Sequence, residues 1–472
     1  MGSILNGFID AVKLSTITQS KSTIMLYFMP TFIYIFLKLN QLRVTPIEFP
    51  DTSSYVRVSQ YSLFDLNFYM SSRPFTYPLL LKISDSNNFE VILFQVIFSC
   101  ISWIFLALVV TRLFKSRVIK YSAYLTILLL SLSTLITQWD VMILTESISF
   151  SLFAIFLAFN ILFTINKINK TLLLSIIIVV GMLFSFTRNG NSYVILQTAV
   201  IYLLSYIAYI VMSYLKESNT DIRTFPYIII TIPFFIIYYV QQHLIAYAHS
   251  WNSCLRNIFG KRILPNSEYT EYFVSKFGMP LNEDILLCSG HHASSVNCNY
   301  ANQSEFRTWI QHNGPEAYKS FLISHISDVV HIYLGLIPGA LNIDTNTTYM
   351  LSAEAITIYK NNYFSIPQKI FFNDLWDTLF SAFLAISAII ILLFVIRPHL
   401  NSDYLIQYSI ILSLFFVSLG QVFLGYFGDA IEVQRHSLLA TISFKLSFIM
   451  LIFTFIEILT IGFFGVLGCK HE

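Results

Sequence analysis

Several charged residues lie where an apolar segment of this chain ends, and their types fit two kinds of chemistry. Asp51 and Arg73 lie in the polar stretch after the first apolar segment, and Arg188 and Arg435 border later ones. A carboxylate near lipid can act as a general base when burial raises its pKa toward neutrality. A guanidinium is a planar fork of donors that stays charged and binds phosphate. These four residues are therefore candidates for a functional site near the ends of the apolar segments.

Each of these residues also has a structural interpretation. Asp51 stands before Thr-Ser-Ser, where an aspartate often caps a helix, here one over 53–60. An arginine at the end of a span often anchors that span by reaching to lipid phosphates. Glu146 can instead lie in the first turn of a helix, where a negative charge interacts favourably with the helix dipole. His436 can assist a phosphate, bind a metal or only form a hydrogen bond, and the sequence leaves these alternatives open.

The composition shows which elements must position such a site. Hydrophobic residues make up 56% of the 472 residues and charged residues only 11%, whereas soluble domains carry roughly 25% charged residues. We therefore predict an all-α polytopic membrane protein. A span needs about 20 mostly apolar residues. About ten stretches meet that test, and they lie near 24–40, 89–111, 121–137, 147–165, 171–187, 193–214, 225–245, 376–396, 404–425 and 438–466.

The basic residues predict how these spans are oriented, because Lys and Arg gather in cytoplasmic loops. If both termini are cytoplasmic, the inner segments hold Lys13, Lys21, Arg112, Lys115, Arg117, Lys120, Lys167, Lys170, Lys216, Arg223, Arg397 and Lys470. The segments around Asp51, Asp140 and Arg188, together with 246–375 and 428–436, are then extracytoplasmic. The candidate chemistry thus falls on the outer face.

The spans divide the chain into three parts. Residues 1–245 form an N-terminal transmembrane module of about seven spans with a first outer loop at 41–88, and 376–472 form a C-terminal module of about three. The outer stretch 246–375 is too long to be a turn. Apolar residues at helical spacing over 317–334 predict an amphipathic helix in the membrane interface, and 363–375 predicts a second.

The cysteines and the net charge limit the partners. Cys288 and Cys298 lie in the outer stretch, where an oxidising compartment favours a disulfide between them. The same CSGHHASSVNC run offers two cysteines and two histidines to zinc, and free thiols are a third alternative. The formal net charge is +2, without a basic tract. We therefore expect a lipid bilayer and no nucleic acid as a partner.

The first outer loop resembles that of the C-type glycosyltransferases, integral-membrane enzymes that take a sugar from a polyprenyl-phosphate carrier. The pattern there is an Asp past the first span, a Tyr four residues on and an Arg-Pro-x-x-Tyr-Pro-Leu-Leu run. Asp51, Tyr55 and the run 73–80 match it. Gln95 and Arg112 in the second apolar segment are also similar to the family's second helix.

Weaker similarities follow in the family's order. They are Thr-Glu-Ser at 145–147, Thr-Arg at 187–188 and Arg-His at 435–436. Together the matches cover roughly the first 215 residues and a short piece near 428–440. Asp51-Thr52 replaces the Asp-Glu pair of the protein mannosyltransferases, and Arg188-Asn189 replaces a common Arg-Pro. These departures argue against that subgroup.

The resemblance implies a GT-C-like fold and a role for each matched residue. Asp51 would be the general base of an inverting transfer, with Asp140 as a second catalytic acid. The donor phosphate would be bound by Arg73, Arg188, Arg435 and His436, and the substrate would contact Tyr55, Tyr77 and Glu146. No metal ligands are assigned, and a divalent metal requirement stays open.

The resemblance also implies a donor, an acceptor and a location. The donor is a polyprenyl-phosphate-linked sugar, and the acceptor is a cell-surface glycan or a lipid-linked glycan. The composition resembles proteins of bacterial surface-polysaccharide clusters, which favours O-antigen modification at the periplasmic face of an inner membrane. A surface-polysaccharide polymerase and a non-enzymatic transporter of lipid-linked oligosaccharides are the alternatives. A transporter should carry charges deep within several spans.

Overall fold

The computed structural model describes residues 21–165, 170–215, 225–293, 295, 298, 303–341, 376–396 and 402–468. Its regular elements are helices joined by turns and loops. Among these residues no β-strand occurs, and Ile47 and Met142 form an isolated parallel bridge. The helices of the first half are α1 Lys21–Leu39, α2 Thr52–Ser59, α3 Leu66–Tyr69, α4 Thr76–Ile83, α5 Asn88–Thr111, α6 Arg117–Ser131, α7 Thr134–Asp140, α8 Thr145–Ile165, α9 Lys170–Ser185, α10 Asn191–Leu215 and α11 Phe225–Tyr247.

The second half begins with shorter helices and ends with long ones. They are α12 Trp251–Ile258, α13 Ser267–Phe277, α14 Glu283–Leu286, α15 Ser304–His312, α16 Gly314–Ser324, α17 Ile326–Leu341, α18 Trp376–Ile396, α19 Ser402–Phe427, α20 Val433–His436 and α21 Leu438–Gly468. A 3₁₀ turn at Asn40–Arg43 follows α1, and a π-helical turn at Phe259–Ile263 follows α12.

Six described helices are long and apolar enough to cross a bilayer, which fits a multi-pass membrane protein in a lipid environment. They are α5, α8, α10, α11, α19 and α21. Helix α5 has 24 residues. At about 1.5 Å of rise per residue, its length exceeds the thickness of the hydrocarbon core, which is roughly 30 Å. The number reaches seven if the bent pair α16 and α17 forms one span.

The prediction of ten spans is not confirmed by these helices. The stretches 24–40, 171–187 and 376–396 correspond to α1, α9 and α18, which do not pass the same test over the residues described. The stretch 121–137 is divided between α6 and α7. Ser133 causes this break, because its backbone is extended there and its hydroxyl bonds the Leu130 carbonyl at 2.5 Å.

The described part of the outer stretch forms a subdomain, α12 to α16, with its own hydrophobic core. Phe259 and Phe273 lie at the centre of this core, with ring centroids 4.8 Å apart. The continuous helix predicted over 317–334 is wrong, because the chain bends by 85° between α16 and α17. His325 lies at that bend, outside both helices. The second predicted amphipathic helix, 363–375, lies outside the described residues.

Candidate functional site

Asp51 is positioned by contacts between the first outer loop and the turn that precedes α8. The Ile47 N–H donates to the Val141 carbonyl at 3.1 Å, and the Ile47 carbonyl accepts from the Ile143 N–H at 2.9 Å. The Thr52 hydroxyl donates to the Ile143 carbonyl at 2.8 Å. Asp51, the residue before Thr52, is therefore held against this turn.

The Asp51 carboxylate binds two arginines from distant parts of the chain. Arg73 Nη2 donates to Oδ1 at 2.7 Å, and Arg435 Nη1 donates to Oδ2 at 3.1 Å. Asp51 stands at the N-cap of α2, but its side chain makes no capping hydrogen bond. The capping interpretation of Asp51 is therefore wrong, since both oxygens face guanidinium groups.

Arg73 is positioned by both the first outer loop and the end of α9. Its Nε donates to the Ser54 hydroxyl at 2.8 Å, and its guanidinium lies 4.8 Å from the centroid of the Tyr55 ring. Three residues further on, the Thr76 N–H donates to the Phe186 carbonyl at 3.1 Å. This bond brings the Arg73 segment next to the chain that carries Arg188.

Glu146 binds two of the three predicted phosphate-binding arginines. Its side chain is fully buried, and its Oε1 accepts from Arg435 Nε at 2.5 Å and lies 3.3 Å from Arg188 Nη1. Arg435 is itself only 5% exposed. The structure thus brings together Asp51, Arg73, Glu146, Arg188 and Arg435, which come from four separate segments. The sequence analysis predicted all five as site residues.

Glu432 also belongs to this group, although the sequence analysis missed it. Its Oε2 lies 2.7 Å from Arg435 Nη1, and its backbone is left-handed with φ of 51°. For a residue other than glycine, this backbone conformation costs roughly 1 kcal/mol or more. The ion pair with Arg435 offsets this cost. The sequence feature that could have identified Glu432 is its place three positions before Arg435, where one helical turn brings two side chains together.

His436 contacts Arg188 on one side and Asp429 on the other. Its Nδ1 lies 3.3 Å from Arg188 Nη2, and its Nε2 lies 3.8 Å from Asp429 Oδ2. Burial first, and then the charges of Arg188 and Arg435, lower the pKa of His436 to about 3. A neutral imidazole at Nδ1 can accept from Arg188, so His436 positions this arginine.

The charges of the site decide the protonation state of Asp51. Burial acts to raise the pKa of Asp51, but the charges of Arg73 and Arg435 outweigh it and hold the pKa below its usual value. The sequence analysis expected burial to raise this pKa toward neutrality, and that expectation is wrong. Asp51 is ionised at neutral pH in the structure.

Asp140 lies in a different cluster from Asp51. It is fully buried, its Oδ2 lies 2.6 Å from Lys38 Nζ, and its Oδ1 accepts from the Ser147 hydroxyl at 2.6 Å. Lys38 also donates to the Ser131 carbonyl at 3.1 Å. Asp140 therefore joins α1 to the start of α8, and no described contact links its side chain to Asp51.

Tyr55 and Tyr77 are buried, which does not fit the substrate contacts predicted for them. Their rings meet edge to face at 5.4 Å. The Tyr77 hydroxyl donates to Gln95 Oε1 at 3.1 Å, and Gln95 Nε2 donates to the carbonyls of Asp140 and Met142. Tyr77 has no exposed surface. In this structure Tyr77 and Gln95 join the first outer loop to the turn before α8.

The outer subdomain binds the loop that presents Arg435. Asn257 Nδ2 donates to Asp429 Oδ1 at 3.0 Å, while Asn257 Oδ1 accepts from the Ala293 N–H at 2.9 Å. The Arg262 guanidinium donates to the Tyr426 carbonyl and lies 3.6 Å from the Tyr426 ring centroid. The outer subdomain is thus joined to the site through 426–429.

Cys288 and Cys298 form a disulfide in the structure, as the oxidising alternative predicted. A sulfur in a disulfide is not a thiolate, so this pairing removes two of the four ligands of the zinc alternative. Within the part of the chain that the structure describes, no group of three His, Cys, Asp or Glu side chains is arranged to hold a metal ion.

Comparison with known proteins gives no relative: no protein-family model, curated protein or solved structure matches this chain. The resemblance to the C-type glycosyltransferases therefore stays a prediction from the sequence. The helices indicate a multi-pass membrane protein, and its candidate site combines the carboxylates of Asp51 and Glu146 with three arginines.

Proposed function

We propose that this protein is a membrane glycosyltransferase. It moves a sugar from a polyprenyl-phosphate donor to a glycan or lipid-linked acceptor on the extracytoplasmic face. The observation that carries the proposal is the pairing of one carboxylate, Asp51, with two arginines, Arg73 and Arg435. A base next to groups that bind a departing phosphate is what this reaction requires.

The two arginines have different parts in donor binding. Arg435 is buried and also binds Glu146 and Glu432, so it is a fixed positive charge. The Arg73 side chain is 30% exposed, and it can exchange Asp51 for a phosphate without leaving a buried carboxylate unpaired. The donor phosphate replaces Asp51 as the partner of Arg73, and it also contacts Arg188 and Arg435.

Donor binding then makes Asp51 a stronger base. The charge of Arg73 contributes to the low pKa of Asp51 in the empty site. When the phosphate engages Arg73, that contribution is lost and the pKa of Asp51 rises toward the operating pH, where a general base is most effective. The protein thus has an effective base only after the donor is bound.

The transfer proceeds as an inverting displacement. Asp51 takes the proton of the acceptor hydroxyl, and the hydroxyl oxygen forms a bond to the anomeric carbon. The bond from that carbon to the phosphate oxygen breaks, and its electron pair leaves on the polyprenyl phosphate. The guanidinium groups of Arg73, Arg188 and Arg435 stabilise the charge on this phosphate.

The proposed architecture is GT-C-like with about ten spans. Helices α1, α9 and α18, and α6 together with α7, would add four spans to the six described above. Both termini would then be cytoplasmic, and the site would face the periplasm of a bacterial inner membrane. Basic residues near the span ends support this orientation. O-antigen or a similar surface glycan is the proposed acceptor.

The outer subdomain is the proposed selector of the acceptor. The contacts of Asn257 and Arg262 with 426–429 support this role, because they place the subdomain beside the site. Replacing 246–375 with the matching stretch of a related enzyme should change the acceptor and leave donor use intact. A chimera that keeps its acceptor preference would remove this role from the subdomain.

The proposal is tested by mass spectrometry of surface glycans from cells without the protein, with it, and with Asp51→Asn at matched membrane levels. Asp65→Asn is the matched control, because Asp65 is another carboxylate of the first outer loop that caps α3, and asparagine caps equally well. The unaltered protein and Asp65→Asn should each add a sugar mass that Asp51→Asn does not.

Two other results would overturn the proposal in different ways. Glycans that change in chain length without gaining a side group would favour the polymerase alternative. Glycans that change in amount, without any new sugar mass and equally with Asp51→Asn, would favour a transporter. Helix α21 carries buried Lys445 and Glu457, so charges do occur within one span, and the transporter alternative needs this test.

A further inference from the structure

Residues 61–69 form an exposed apolar tip on the first outer loop. Phe64 is 99% exposed and Leu66 is 71% exposed. Leu63, the residue before Phe64, is also exposed. The only charged side chain of the tip, Asp65, accepts from the Asn67 N–H at 2.9 Å and caps α3. The tip therefore presents an apolar surface whose one carboxylate is engaged in a helix cap.

This tip is held in shape by its own hydrogen bonds. The Tyr69 hydroxyl donates to the Leu63 carbonyl at 3.0 Å, and the Asp65 N–H donates to the Ser62 carbonyl at 3.0 Å. Phe68 is buried beneath the tip. Large apolar side chains that a folded loop holds outward usually mark a binding surface.

The root of the tip lies beside the start of a candidate span. Lys82 Nζ donates to the carbonyls of Ser59 at 3.1 Å and Tyr61 at 2.9 Å. The Ser59 hydroxyl also lies 3.5 Å from the Ser86 hydroxyl. Ser86 is two residues before the start of α5. The tip therefore starts beside the residues that lead into the candidate span α5.

The exposed apolar surface continues from the tip into that span. Ile83, at the end of α4, is 75% exposed, and α5 itself exposes an apolar stripe toward its surroundings. The stripe consists of Phe89, Phe94, Ile97 and Ile101. Lipid is the solvent for such a stripe, and aromatic side chains are enriched where a span meets the bilayer surface.

From this continuity we propose that the tip of the first outer loop inserts into the outer leaflet of the bilayer. Phe64, Leu66 and Leu63 are the inserted side chains. The tip is connected to the site, since Tyr69 packs on Phe75 at 5.4 Å, two residues after Arg73. Insertion therefore anchors the segment that carries Arg73 to the bilayer.

The proposal rests on the bilayer environment and not on the transfer reaction, so it can fail while the proposed function holds. It is tested with a nitroxide on Phe64→Cys in full-length protein in phosphatidylcholine nanodiscs. Cys254→Ser and Cys469→Ser remove other thiols, Cys100 is buried, and the disulfide protects the rest. Glu316→Cys, at an exposed surface position of α16, is the aqueous control.

Oxygen concentrates in lipid and a nickel chelate stays in water, so their collision rates with the label report its surroundings. We expect the ratio of oxygen to nickel collisions at position 64 to exceed that of the Glu316→Cys label several-fold. Leu66→Cys is a second reporter if Phe64→Cys does not fold, and it should give the same result.

Two results would overturn the insertion. A label at 64 as accessible to the nickel chelate as the Glu316→Cys label would place the tip in water. A label shielded from both reagents, with spectral broadening by a second nitroxide, would show that another copy of the chain covers the tip.

Discussion

Arg435 donates a buried hydrogen bond to Glu146, which lies 289 positions earlier in the chain. The bond connects α20 to the start of α8, and both partners are almost without solvent contact. Asp51 and Glu432 both contact Nη1 of the same guanidinium. The geometry of Asp51 therefore depends on a pair formed between the N-terminal and C-terminal halves of the chain.

Replacing Glu146 with glutamine should destabilise the protein severely. The change leaves the buried charges of Arg435 and Arg188 without their shared partner, and breaking a buried ion pair costs about 3–5 kcal/mol. Thermal unfolding in detergent, compared with the unaltered protein, measures this loss. Glu316→Gln is the control, because it breaks an exposed pair with Lys319 and should leave the unfolding temperature nearly unchanged. Equal unfolding curves for the two variants would mean that Arg435 and Arg188 do not need Glu146.

Lys38 and Asp140 should behave as a structural pair. Lys38→Met or Asp140→Leu alone should lower stability, because each leaves one buried partner uncompensated. Combining Lys38→Met with Asp140→Leu should recover much of the loss, since apolar side chains often replace a buried pair well. Thermal unfolding of the three variants measures the coupling. Sugar transfer should survive in the double variant, and a stable double variant without transfer would return Asp140 to the catalytic group.

The contribution of Asp51 to stability should depend on pH. Its pKa is lowered in the folded protein, so folding favours the ionised carboxylate. The stabilisation is complete above the usual carboxyl pKa and is lost as the pH falls through the lower folded value. The difference in unfolding temperature between the unaltered protein and Asp51→Asn should therefore shrink below about pH 4. A difference that is constant with pH would show that the arginines do not hold Asp51 ionised.

The disulfide should stabilise the outer subdomain. Cys298→Ser opens the loop that starts at Cys288, with a sequence separation of 10, and loop entropy predicts a loss of about 3 kcal/mol. Hydrogen exchange of α12 to α16 should increase, while α5 and α8 stay protected. The unaltered protein, treated with a reductant, provides the comparison without a substitution. Unchanged exchange in the subdomain would show that its core at Phe259 and Phe273 is sufficient.

The sequence predicted the residues of the site better than their roles. Charged residues at span ends are few, so Asp51, Arg188 and Arg435 could be selected by type and position. Their contacts depend on packing between segments far apart in the chain, and no local pattern carries that information. This is why Asp140 was expected beside Asp51, whereas Lys38, which lies in α1, binds it.

The fold was predicted best where one local property decides it. Long apolar runs identified the six helices that can cross a bilayer, because length and hydrophobicity suffice for that prediction. The break at Ser133 depends on a serine hydroxyl competing for a backbone carbonyl, which a hydropathy window averages away. The bend at His325 likewise divides a continuous apolar pattern into two helices.

The most direct test of the central claim is the binding of a short-chain polyprenyl phosphate to the purified protein, followed by native mass spectrometry. Arg73→Gln should weaken binding about tenfold or more, since a charged hydrogen bond to phosphate contributes roughly 1.5–3 kcal/mol. Arg57→Gln, at an exposed position of α2, should bind as the unaltered protein does. Equal binding by both variants would contradict a donor phosphate site at Asp51, Arg73 and Arg435.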